Sequence, residues 1–197
     1  MMNYRMTGGL VHRLKRLVPL AVLIVAACDD PYGPALWNAD PDTVLVFSAS
    51  RGEHIGRASA VDITSLPVAA LPLEAPGVTG NWDIALVDLG GGLALAPAAS
   101  FEGLESRARV GVLRDRVLDD VKEAPRDTSA FTAEPIALRE GDVYLVRSRR
   151  ASCGGVSSGY RYAKLRPVTI DETAGTLRFE IVVNPYCDNR SFVPPEG

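Results

Sequence analysis

Along most of this chain, hydrophobic positions recur in short runs of period two, the pattern of half-buried strands. Thr43-Val-Leu-Val-Phe-Ser48 is a β-branched and aromatic run. Residues 66–80 hold Pro67, Pro72, Pro76, Gly77 and Gly80 and read as an irregular loop. Trp82-Asp-Ile-Ala-Leu-Val-Asp88 predicts the next strand, with Trp82, Ile84 and Leu86 on one face. Gly90-Gly-Gly92 supplies a turn, because glycine accepts positive φ without steric cost, and Leu93-Ala-Leu-Ala96 can pair back as a hairpin. Arg107-Ala-Arg-Val-Gly-Val112 alternates again. The period then changes: Leu113, Val117, Leu118 and Val121 fall on one face of a short helix that Pro125 limits.

The last third carries the clearest strands. Asp142-Val-Tyr-Leu-Val-Arg-Ser148 and Tyr160-Arg-Tyr-Ala-Lys-Leu-Arg166 flank a Gly/Ser loop from Ala151 to Gly159, and Asp171-Glu-Thr-Ala-Gly175 is a second turn. Thr176 to Val183 then puts Leu177, Phe179, Ile181 and Val183 inward and Arg178 and Glu180 outward. The three strands form a meander. The pattern predicts about seven to nine short strands and one short helix over residues 43–197, ending in an irregular tail. The fold class is therefore mainly β, a single antiparallel β-sandwich or partly open barrel.

The front of the chain follows different rules. Arg5, Arg13, Lys15 and Arg16 precede the apolar run Leu17–Ala27, and no acid appears before Asp29. That run of 11 residues is too short to span a bilayer as a helix, and with its basic flank it reads as a secretory signal over residues 1–27. Val25-Ala-Ala-Cys28 resembles the bacterial lipobox, which implies a lipidated Cys28 as the mature N-terminus. Residues 28–42, rich in Pro and Asp, read as a flexible tether, with Trp37 either exposed in it or docked on the domain. The expected location is the bacterial cell envelope, lipid-anchored and facing the periplasm or the cell surface.

Cleavage before Cys28 redraws the composition. The full chain carries 21 Lys+Arg against 24 Asp+Glu, a charge of −3; losing the four leader cations leaves 17 against 24, a charge of −7. A net acidic chain is not expected to bind nucleic acid. His12, Met1, Met2 and Met6 depart with the leader, so the mature chain keeps one histidine, His54, and no methionine. With Cys28 lipidated, Cys153 and Cys187 remain, an even pair in an oxidising compartment that reads as a disulfide, the alternative being two buried thiols.

The inventory offers little catalytic chemistry. No Gly-x-x-x-x-Gly-Lys, Gly-x-Gly-x-x-Gly or Gly-x-Ser-x-Gly segment occurs, and one His with two paired Cys makes a zinc cage or a Ser–His–Asp triad improbable. The protein is not expected to be an enzyme. His54 sits in the Gly-flanked segment Ser50–Gly56 and reads as incidental. A basic cluster stands out: Arg147, Arg149, Arg150, Arg161, Lys164 and Arg166, beside Tyr160 and Tyr162. It is either an anion-binding patch or a set of cross-strand pairs with Asp142, Glu172 and Glu180.

Trp82-Asp-Ile-Ala-Leu86 and the pairing of Val143-Tyr-Leu-Val-Arg147 with Tyr160-Arg-Tyr-Ala-Lys-Leu165, behind a lipobox and short tether, resemble the HmuY-like family of secreted bacterial lipoproteins. The resemblance implies a β-rich scaffold and haem capture. The family holds haem iron with two side chains, typically histidines or methionines, and no such pair can be built from this mature chain. Axial candidates reduce to His54, a tyrosine or a thiolate. The expected function is non-enzymatic binding of haem or another small molecule by an envelope-anchored lipoprotein. His54, Tyr160, Tyr162, Arg149 and Arg150 are the candidate binding residues. The alternative is a structural or interaction lipoprotein that holds an envelope protein.

Overall fold

The computed structural model describes residue 37 and residues 39–73, 77, 79–153 and 157–195. The signal, Cys28 and most of the tether lie outside the described residues. Pro34–Gly197 forms a compact unit of its own. Its described residues form ten strands: β1 (Asp42–Phe47), β2 (Ala60–Asp62), β3 (Ala69–Leu71), β4 (Ile84–Asp88), β5 (Leu93–Pro97), β6 (Arg109–Leu113), β7 (Ile136–Ala137), β8 (Val143–Ser152), β9 (Ser158–Asp171) and β10 (Thr176–Val183). They build two five-stranded antiparallel sheets, β1-β10-β9-β8-β6 and β3-β2-β4-β5-β7. The fold is a β-sandwich.

The expected meander β8-β9-β10 forms the centre of the first, long-stranded sheet. Its alternation drives the packing. Leu177, Phe179, Ile181 and Val183 of β10 join Tyr144, Val146, Ala163 and Leu165 against Val61, Ile84, Leu86, Leu93 and Leu95 of the other sheet. The outer face of β8 is also covered: Leu118, Val121, Ala124 and Phe192 pack on Val143 and Leu145.

Two expectations change in detail. Trp82 precedes β4 and turns away from Ile84 and Leu86, joining Ala60, Ala85, Ala98 and Ala108 on the outer side. Phe101 meets it edge-on, ring centroids 4.9 Å apart. A second apolar layer there buries both faces of β4, so all four residues Ile84–Val87 are buried.

The segment Leu113–Val121 supplies only a single 3-10 turn, Leu118–Asp120, rather than a full helix. Leu113 ends β6, and Asp115 takes a positive φ of 51°, which stops helical propagation. The carbonyls of Leu118 and Val121 are taken instead by the ammonium of Lys164, at 2.9 and 3.1 Å.

Candidate functional site

A β-bulge sorts the arginines. In the β8–β9 ladder Arg147 opposes Tyr162 and Arg150 opposes Tyr160, so three steps on β8 match two on β9. Cross-strand partners share a face. Arg147, Arg150, Tyr160 and Tyr162 therefore all lie on the outer face, where Arg109 of β6 joins them opposite Arg147. The Arg147 guanidinium stacks over the Tyr160 ring at 4.8 Å. Arg150 is exposed and donates to the Ser158 carbonyl at 3.1 Å. Tyr162 packs edge-on against Phe131, and burial raises its pKa.

Arg149 goes the other way, into the space between the sheets. Its guanidinium donates to Asp62 at 2.8 Å, to Asp83 at 3.2 Å and to the Thr64 hydroxyl at 2.8 Å. Its backbone N–H donates to Asp83 at 2.6 Å, and Ile63 N–H donates to the other oxygen of the same carboxylate at 2.9 Å. Asp83 is fully buried. Burial raises its pKa to about 6, and the charge and amide of Arg149 offset this only in part. Burial also works against the Asp62 carboxylate, but hydrogen bonds from Arg149, Thr64 and Ser65 outweigh it and lower that pKa to about 2. A carboxyl near 6 suits acid–base chemistry. Here, however, both oxygens are filled by donors from the protein itself, so the triad is an inter-sheet anchor.

The rest of the sequence cluster disperses. Arg161 donates to the Thr64 carbonyl at 2.6 Å, and Arg166 pairs with Glu180 at 2.5 Å, the one expected cross-strand pair that forms. Asp142 pairs instead with Arg114. Lys164 is buried at 5% exposure under the Phe192 ring, and burial lowers its pKa. The patch read from the sequence is thus two groups, one inside and one outside.

His54 belongs to neither group. Its Nδ1 lies 3.2 Å from the Ser48 carbonyl oxygen and its ring meets Phe47 at 5.3 Å. Phe47 pairs with Thr176, which pairs with Asp171, and Tyr160 and Tyr162 lie eleven and nine residues back along β9. At about 3.3 Å per residue, the His54 end of the sheet is about 30 Å from Tyr162 and about 36 Å from Tyr160. Cys153 and Cys187 form a disulfide, Cα–Cα 5.7 Å. A haem does not fit this set: histidine and tyrosines do not converge, and the thiols are bonded to each other. Among the described residues no group of three or more His, Cys, Asp or Glu side chains could hold a metal ion.

A cavity of about 330 Å³ opens between the β4–β5 turn and the β9–β10 turn, lined by Arg51, Asp88, Gly90–Gly92, Leu93 and Glu172. Sequence reasoning passed over Arg51. It donates to Asp88 at 2.7 Å and to the carbonyls of Glu172 and Thr173 at 2.6 and 2.7 Å, clamping the two turns together. Asp62 and Asp83 were missed too. The available signal was an acid set inside a buried apolar run, Ala60-Val-Asp-Ile63 and Trp82-Asp-Ile84.

No protein-family model matches the chain, and no curated protein matches it.

Proposed function

We propose that the protein is a lipid-anchored, non-enzymatic binding module of the bacterial cell envelope, built on an HmuY-like β scaffold, that engages an envelope component through the outer face of its long-stranded sheet. The anchor rests on the basic leader, the apolar run and Val25-Ala-Ala-Cys28. The observation that carries the surface reading is the bulge in β8. It spends Arg149 on the interior and leaves Arg147 and Arg150 outward beside Tyr160 and Tyr162. Enclosure of a haem is the weaker version, because its candidate ligands lie at opposite ends of the sheet. The scaffold reading draws on the Trp82-Asp-Ile segment and the β8–β9 hairpin.

Three measurements test this reading. Radiolabelled palmitate should enter the wild-type chain in cells and be lost in Cys28→Ala. A photo-crosslinker at position 150 should recover an envelope component, and Arg147→Glu/Arg150→Glu should lose it. Micromolar haem should give no Soret shift; a shift abolished by His54→Ala would sink the surface reading in favour of haem capture.

A further inference from the structure

The point where the chain enters the domain and the arginine face lie at the same end of the sandwich. Trp37 is buried and stacks on Tyr186, ring centroids 5.7 Å apart. Two residues further on, the Asp188 N–H donates to the Tyr160 carbonyl at 2.7 Å, and Tyr160 N–H donates to the Asp188 carboxylate at 3.1 Å. Gly159 permits this approach, since a Cβ there would collide with the Asp188 carboxylate. Trp37 is thus held by the short segment that borders Tyr160. Nine residue-to-residue steps separate it from Cys28. At no more than about 3.5 Å each, they reach roughly 30 Å whatever their conformation. A lipid on Cys28 keeps this end of the sandwich within that distance of the bilayer surface.

The face at this end has unusual charge. Arg107 is exposed, and its carbonyl lies 3.5 Å from the Arg147 guanidinium; Arg109, Arg147 and Arg150 follow across β6 and β8. Among the described residues, none of these four arginines is ion-paired with a carboxylate. The neighbouring Arg190 is paired with Glu123, and Asp188 stands at the rim. Four unpaired guanidiniums therefore gather on a domain whose mature charge is −7. Guanidinium forks match phosphate oxygens. Half-buried tyrosine rings suit the boundary between water and hydrocarbon.

We infer that this face docks on the phosphate-bearing headgroups of anionic lipids in the same bilayer that holds the anchor. The tether selects the lipid surface over an acidic protein segment, because it delivers the arginines to the membrane at no further cost in search. The inference deepens the binding-module reading and rests on its Cys28 anchor for that delivery. The sandwich then lies against the membrane and does not stand off from it.

Co-sedimentation of residues 28–197 carrying Cys28→Ser, which keep the whole compact unit but no lipid, tests the face alone. Vesicles of equal parts phosphatidylglycerol and phosphatidylcholine should bind the chain, and vesicles of phosphatidylcholine should not. Added sodium chloride should weaken the binding. At roughly fivefold per arginine near an anionic surface, Arg147→Ser/Arg150→Ser should lose about 25-fold in partition. Arg150→Ser alone, an exposed change that leaves the fold intact, should lose about fivefold. The charge-matched Arg57→Ser/Arg116→Ser should lose clearly less. Equal binding to both vesicle types, or full binding by the double patch variant, overturns the inference. So does recovery of an acidic envelope protein through position 150 without any vesicle binding, which leaves the module reading standing. Vesicle binding by a chain that takes up no palmitate at Cys28 removes the anchor and leaves only the face.

Discussion

The two sheets of this sandwich are built differently. The long-stranded sheet has central strands of ten, fourteen and eight residues, while the central strands of the other sheet have three, five and five. The long sheet leaves part of its outer face to solvent and carries arginines and tyrosines there. The short sheet is buried on both sides at β4, and it is tied to its partner by charge: Asp62 and Asp83 receive Arg149 from β8, and Thr64 receives Arg161 from β9. Short strands offer few ladder bonds, so the buried ionic anchor fixes where the short sheet sits. The long sheet holds itself through its ladders, which leaves its outer face free for the role proposed above.

The largest expected effect comes from breaking that anchor. Asp83→Ala leaves Arg149 between the sheets with one of its two carboxylate partners and should cost about 3–5 kcal/mol in denaturant unfolding. Next comes the disulfide, which belongs to the long sheet and its exit segment. Cys153→Ser/Cys187→Ser opens a closure of sequence separation 34 and should cost about 3–4 kcal/mol on the chain-entropy account.

The pH dependence separates the two acids of the anchor. Asp83 has a folded pKa raised from 3.8 to about 6, so its contribution to stability is present below 3.8 and lost as pH rises through 6. Asp62 is lowered to about 2, so its contribution is present above 3.8 and lost as pH falls through 2. Melting curves should show wild type losing stability relative to Asp83→Asn between pH 3.8 and 6, with no further relative change above that. A flat difference across that window would mean that Asp83 is ionised throughout.

Smaller still is the clamp between the turns. Arg51→Ala removes a partly exposed pair with Asp88 and two bonds to carbonyls, and should cost about 1–2 kcal/mol. At the bottom of the scale, Arg150→Ser on the outer face should change stability by less than about 0.5 kcal/mol while altering binding. A large loss of stability there would erase the contrast between a sheet that anchors and a sheet that presents.

The same contrast explains what could be read from the sequence. β10 runs from Thr176 to Val183 as its alternation predicts, because one face is buried and the other is wetter. The disulfide was legible from the even pair Cys153 and Cys187, read with the expectation of an oxidising compartment. In the short sheet, burial on both faces erased alternation at Ile84–Val87, and Trp82 was set on the wrong side. The outer arginine face is hidden for a subtler reason. Strict period two puts Arg147 with Arg149 and sets Arg150 apart; the bulge reverses that assignment, and nothing in Arg-Ser-Arg-Arg announces it. The 3-10 turn at Leu118 depends on a lysine some forty-six residues later in the chain, beyond any local window.

Trp37 has a mechanical consequence. β1 is an edge strand paired only with β10, and a pull applied at its N-terminus would peel it open one bond pair at a time. Among the described residues, tension applied from the N-terminal side meets the Trp37–Tyr186 stack before it meets β1, next to the cysteine that closes the disulfide. Such a load would pass sideways into a covalently braced corner before it reached the strand, so a pull from that side would not begin by unzipping β1.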